Sequence, residues 1–126
     1  MRALSKKILA VDDSVVETMY LKGLAGKIDD VTFEYADSHE DAIKLCSQEK
    51  FDLILIDECM PDGDAFGLLA AIKELDDQNA KTPAIAMGSP SDFAGEEYLE
   101  KTGFANYLEK PVDFYMLKAA ISLYSL

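Results

Sequence analysis

The sequence predicts an α/β fold: a doubly wound sheet of five parallel strands in the order 2-1-3-4-5, with five helices packed on its two faces. Three observations carry this expectation. Short apolar runs alternate with longer amphipathic ones along the whole chain, which is the pattern of successive βα units. Three of those runs are continuously apolar, as strands buried on both faces are. The length of 126 residues suits about one domain, so residues 1–126 are expected to form a single unit with one core.

The elements follow in order. Ile8–Val11, Leu53–Ile56 and Ala84–Met87 are the apolar runs and should be the central strands. Val31-Thr-Phe-Glu-Tyr35 alternates, and Phe104-Ala-Asn-Tyr-Leu108 carries a polar Asn106, so these two belong at the edges. Right-handed crossovers then give the stated order. Ser14-Val-Val-Glu17 is a capping-box pattern after the first strand, and its helix sets Val15, Val16, Met19 and Tyr20 at helical spacing before Gly26. Ser38-His-Glu-Asp41 opens the second helix in the same way. The third has Ala65, Leu68, Leu69 and Ile72 on one stripe, with Gly67 costing about 1 kcal/mol relative to Ala. Ser91, after Pro90, is placed to cap a fourth, acidic helix that carries Gly95. Pro111 precedes the last helix, whose core face is Phe114, Leu117, Ile121 and Tyr124.

Charge narrows the function. Asp and Glu number 24 against 12 Lys and Arg, a formal net charge of −12, which disfavours unaided binding to nucleic acid or to anionic membranes. Cys46 and Cys59 are too few for a disulfide framework, and Lys6-Lys7 precedes only four apolar residues before Asp12. A soluble, cytoplasmic protein with reduced thiols is the expectation.

Ligands of open parallel α/β sheets bind beyond the carboxyl ends of the strands. The first strand ends in Asp12-Asp13, the third in Asp57, and the fifth just before Lys110. The first turn has no glycine-rich loop, which excludes a dinucleotide site. Three carboxylates at close quarters call for a cation. Oxygen donors suit Mg²⁺ or Mn²⁺ better than zinc, for which the chain offers one His and two scattered Cys. A divalent cation and Lys110 together balance the three negative charges. Such a site can receive a phosphoryl group, with a carboxylate attacking phosphorus in line.

Asp12-Asp13, Asp57 followed by Met60-Pro61, and Lys110-Pro111 resemble, in that order, the receiver domain of two-component response regulators, over essentially the whole chain. The resemblance implies a flavodoxin-like fold and a signalling switch rather than an enzyme: a phosphoacceptor that assists its own phosphorylation and dephosphorylation. Asp57 would take a phosphoryl group from a phosphohistidine on a sensor histidine kinase or phosphotransfer protein, or from a small acyl phosphate. Asp12, Asp13, Asp57 and the backbone carbonyl of Cys59 would hold Mg²⁺, and Lys110 would pair with Asp57 or the phosphoryl oxygens. A cis bond between Lys110 and Pro111 is implied; with no output domain visible, either the phosphorylated form acts on a downstream protein target or the chain is a piece of a longer regulator.

Two positions depart from the family pattern. Gly88 stands where receivers carry Ser or Thr at the end of the fourth strand, and Ser89 comes next; Tyr107 matches the aromatic switch position. Asp62-Gly-Asp-Ala65 places Ala65 where Gly is common. A receiver-like binding module without a phosphorylation switch is therefore the second reading. A metal-dependent phosphatase is the third, disfavoured because Glu58 and Cys59 break the Asp-x-Asp pattern. His39 is expected at the surface far from the acidic edge, Cys46 in the core, Cys59 near the cation only through its backbone, and Glu96-Glu97 with Glu100 on a solvated helix face.

Overall fold

The computed structural model describes residues 5–75, 78–93 and 97–125. Strands β1 (Lys6–Val11), β2 (Val31–Ala36), β3 (Leu53–Asp57), β4 (Ala84–Gly88) and β5 (Asn106–Glu109) form a parallel sheet in the order β2-β1-β3-β4-β5. The helices are α1 (Val15–Ala25), α2 (His39–Gln48), α3 (Ala65–Glu74), α4 (Tyr98–Thr102) and α5 (Phe114–Tyr124). The expected architecture and strand order hold.

Side-chain alternation along each strand divides the core between the two faces. Leu9, Val11, Ile54 and Ile56 pack with Ala42, Cys46, Leu68, Leu69 and Ile72 of α2 and α3. Ile8, Ala10, Leu53 and Leu55 pack with Leu21 of α1 and Leu117 and Ile121 of α5. β3 is buried at every residue because helices cover both its faces. Asn79 ties the opposite, amino edge together from inside. Its side-chain oxygen accepts the Phe51 N–H at 2.9 Å, while its amide donates to the Cys46 and Glu49 carbonyls at 2.7 and 2.6 Å, satisfying the end of α2.

Four sequence expectations need correction. Val15, Val16, Met19 and Tyr20 do not face the core: they are 73, 76, 66 and 45% exposed, and α1 buries Leu21 instead. Leu24 packs part-buried beside Leu21 and the Tyr20 hydroxyl donates to the Val112 carbonyl at 2.6 Å, which leaves Val15, Val16 and Met19 on the outer side of the helix. Ser91 caps no helix. It lies in a 3₁₀ turn, Pro90–Phe93, closed by the Asp92 carboxylate accepting the Ser89 N–H at 2.8 Å, and α4 begins only at Tyr98 without a side-chain cap. β5 begins at Asn106, two residues later than expected, although Phe104 is buried. His39 is not remote, as described below. Gly95, Glu96 and Leu126 lie outside the described residues.

Among the described residues no helix is long and apolar enough to cross a membrane. Replacing Asn79, 1% exposed, removes the bond to the buried Phe51 N–H and those to the Cys46 and Glu49 carbonyls. Asn79→Ala is expected to lower unfolding stability by about 2–3 kcal/mol, measured by urea denaturation.

Candidate functional site

Register delivers the acidic residues to one level. Val11 pairs with Ile56, so Asp12 and Asp57 leave their strands side by side. Asp57 pairs with Met87, and Gly88 with Glu109, which brings Lys110 to the same edge. The Lys110 N–H donates to the Gly88 carbonyl at 2.8 Å, and the Lys110–Pro111 bond is cis. From that backbone position the Lys110 ammonium reaches Asp57 Oδ1 at 2.8 Å and Asp12 Oδ2 at 3.2 Å.

A third carboxylate joins them. Glu17 Oε1 accepts from the Lys110 ammonium, and oxygens of Asp12, Glu17 and Asp57 lie within 4.8 Å of one another. Sequence reasoning had given Glu17 to a capping box. Half of that box exists, since Ser14 Oγ accepts the Glu17 N–H at 3.2 Å. The other half does not form, because Asp12 Oδ1 takes the Ser14 N–H at 2.9 Å and frees the Glu17 carboxylate to turn to Lys110. An acidic residue two positions before a helix cap is the signal that could have shown this.

The remaining expected residues scatter more. Asp13 is exposed and outside the three-carboxylate cluster. Cys59 is exposed as a free thiol, and its backbone N–H donates to Asp57 Oδ1 at 3.4 Å. It begins a two-stranded ribbon, Cys59–Met60 with Gly63–Asp64, that leads into α3. Asp64 caps that helix by accepting the Gly67 N–H at 2.8 Å, and Ala65 sits fully buried behind it. His39 packs beneath this ribbon. Its N–H donates to Asp62 Oδ2 at 2.7 Å, and its ring lies 3.1 Å from where a Cβ on Gly63 would stand, so a residue with φ +144° and no side chain fits there. His39 therefore supports the loop after Asp57.

Gly88 is buried at the end of β4, and the space beside it is filled. A Cβ there would meet Asp92 Oδ2 at 2.6 Å, Glu58 Cβ at 3.1 Å and Phe93 Cζ at 3.2 Å. Ser89 is exposed and engaged through its N–H with Asp92. Tyr107 is half-buried and stacks on Phe93 at 4.3 Å, while Tyr98 packs edge-on against both rings. The Tyr98 hydroxyl donates to Glu58 Oε2, which ties the residue after Asp57 to α4. Glu58, Phe93 and Tyr98 carried no sequence signal, because nothing local links them.

Electrostatics follow from burial. Desolvation pushes the Asp12 carboxyl up from 3.8 to about 6, against the Ser14 N–H and Lys110, which pull it down. For Lys110 desolvation favours the neutral amine, but the bonds to Asp57 and Glu17 and the field of Asp12 win, and the ammonium is held more firmly than usual. Burial likewise raises Glu58, opposed by the Tyr98 hydrogen bond and reinforced by Asp64, Asp92 and Asp57.

A model of the response regulator receiver domain family matches residues 8–122. The chain belongs to that family. The receiver is 33% identical over 112 residues to the signal transduction histidine-protein kinase BarA of Escherichia coli K12, a match covering 87% of this chain and 12% of that kinase. It thus spans a small part of the length of this curated relative. Two solved structures share the fold. The receiver domain of a Pseudomonas aeruginosa sensor histidine kinase, solved with a magnesium ion in its active site cleft, superposes with a TM-score of 0.82 at 18% identity, covering 95% of this chain and 97% of that one. The receiver domain of a Saccharomyces cerevisiae response regulator, solved with a histidine phosphotransfer signalling protein, gives 0.83 at 18% identity, covering 99% and 92%. Receiver domains are signalling switches of two-component systems rather than enzymes.

The Asp12 shift sets a pH dependence. A carboxyl harder to ionise folded than unfolded makes the folded state hold the extra proton, so stability falls as pH rises from about 4 to about 6 and stays lower above. In chelator, Asp12→Asn is expected to stabilise the receiver at pH 7 by about 1–2 kcal/mol and to have little effect at pH 3.5; calorimetric melts at the two pH values check it.

Proposed function

We propose that residues 1–126 act as one phosphorelay receiver in which Asp57 accepts a phosphoryl group from a phosphohistidine donor and the modified protein changes what it binds. The observation that carries this reading is the Lys110 ammonium, 2.8 Å from Asp57 Oδ1 and 3.2 Å from Asp12 Oδ2 at the carboxyl edge of the sheet. In a family of signalling switches, that is the arrangement of a nucleophilic carboxylate with a cation at hand.

Oδ1 of Asp57 is the oxygen held by Lys110 and the Cys59 N–H, so Oδ2 attacks phosphorus. The Oδ2–P bond forms as the P–N bond of the phosphohistidine, or the P–O bond of an acyl phosphate, breaks, and the departing imidazole or carboxylate keeps the electron pair. Lys110 moves its hydrogen bonds toward the phosphoryl oxygens, where charge accumulates. The hard carboxylate oxygens of Asp12, Glu17 and Asp57 lie within 4.8 Å of one another and fit Mg²⁺ or Mn²⁺, which Asp12 and Asp57 would hold, joined by Asp13 and the Cys59 carbonyl. When bound, the ion supplies Lewis-acid stabilisation of the transferring group. Water later attacks the same phosphorus, the Oδ2–P bond breaks with its electron pair returning to the Asp57 carboxylate, and phosphate leaves; Lys110 beside the phosphoryl oxygens lets the receiver assist its own dephosphorylation.

Partners follow from chemistry and surface. The exposed Val15, Val16 and Met19 of α1 flank the acidic edge and give a protein phosphodonor an apolar landing beside Asp57. The net charge of −12 disfavours nucleic acid and anionic membranes, and membership of the receiver family supports a histidine kinase or phosphotransfer protein as donor and a downstream protein target, all in the cytoplasm.

Incubation with a small acyl phosphate and Mg²⁺ is expected to add one phosphoryl mass, and Asp57→Asn to abolish it; no adduct by intact-mass spectrometry, where a control receiver is labelled, overturns the proposal.

The filled notch at Gly88 favours a second reading, a binding module that is not switched. The two readings divide on Tyr107. With a switch, a phosphoryl mimic shifts the amide signals of Phe93, Tyr98 and Tyr107; without one, the shifts stay within the loops after Asp12 and Asp57.

A further inference from the structure

Glu17 is unexplained by the reading above. Asp12, Asp13 and Asp57 with Lys110 already balance one divalent cation, so the Glu17 carboxylate is a negative charge in excess. Once Asp57 carries a dianionic phosphoryl group, the excess grows by one. Yet Glu17 is bound to the ammonium that the phosphoryl oxygens need. The two other carboxylates on Lys110 cannot leave, since Asp12 and Asp57 side chains are 2 and 7% exposed and leave from strand ends. Glu17 can: its side chain is 44% exposed, on the first turn of α1, and rotation carries it into water.

We propose that Glu17 is a positioning residue for Lys110, holding its ammonium over the cleft while Asp57 is free and yielding it to the incoming phosphoryl group. This rests on Asp57 being the phosphoacceptor. The same charge that helps attract a cation into the resting cleft opposes the phosphoryl dianion, so Glu17 favours the cation-loaded, unphosphorylated state. Lys110 exchanges one anion for another, Glu17 for phosphoryl oxygen, and never stands unpaired.

Removing the charge while keeping the shape separates these effects. With Glu17→Gln, Mg²⁺ binding alone, measured by titration calorimetry, is expected to weaken about fivefold, as loss of one partly screened charge from the three-carboxylate cluster implies. At saturating Mg²⁺, binding of beryllofluoride, which occupies the phosphoryl position without chemistry, is expected to tighten by a similar factor, and labelling by a small acyl phosphate to speed up. A merely structural role moves Mg²⁺ and beryllofluoride binding in the same direction. Glu17→Ala should behave as Glu17→Gln does. Unchanged or jointly weakened binding, slower labelling at saturating Mg²⁺, or an effect of Ala that Gln does not share overturns the inference. Wild-type protein that takes no label overturns the phosphoacceptor reading itself, whereas labelled wild type with an indistinguishable Gln variant overturns the role of Glu17 alone.

Discussion

The carboxyl edge of this sheet is organised around the ammonium of Lys110. Parallel register sets Asp12 beside Asp57 and carries Lys110 two residues past their level, at the same edge of the sheet. Two carboxylates could not be buried together there as anions without a compensating cation, because both desolvation and mutual repulsion favour protonation. Lys110 spans them, and its own burial is outweighed by the anions it touches. At Asp12 burial outweighs the Ser14 N–H and Lys110, and its carboxyl rises to about 6. The site is thus poised for more positive charge, and that is the physical content of a receiver cleft.

Around this shared centre the chain is wired in its own way. In the family pattern a hydroxyl at the end of β4 faces the phosphoryl group; here Gly88 leaves no room for a side chain, and Asp92, Glu58 and Phe93 close the space. The contact between the Asp57 segment and α4 runs instead through Glu58 and Tyr98, with Phe93 stacked on Tyr107 behind them. Glu58 follows Asp57 directly and is hydrogen-bonded through its N–H to the Met87 carbonyl at 2.7 Å. One residue thus joins the backbone after Asp57 to the Tyr98 hydroxyl. His39 and Gly63 brace the opposite side of the same loop.

Much of this was legible in one dimension. Continuous apolar runs marked β1, β3 and β4, because a strand covered on both faces has no polar side to show. Acid pairs and single residues at strand ends marked the cleft, since a turn does not need Asp12-Asp13 merely to reverse direction. The orientation of α1 was not legible. Val15, Val16, Met19 and Tyr20 have the spacing of a buried stripe, yet they face outward, and periodicity alone cannot say which of two apolar stripes meets the sheet.

By itself the sequence determined the fold class, the strand order and the placing of Asp12, Asp57 and Lys110 at strand ends, because these depend on local hydrophobic pattern and on which residues terminate strands. Tertiary structure alone decided what those residues touch. Lys110 meets Asp12 across 98 positions of chain and Glu17 across 93, and the helix-capping look of Glu17 concealed its carboxylate's real partner. Such meetings are set by register and crossover geometry, to which side chains far apart in sequence leave no local trace.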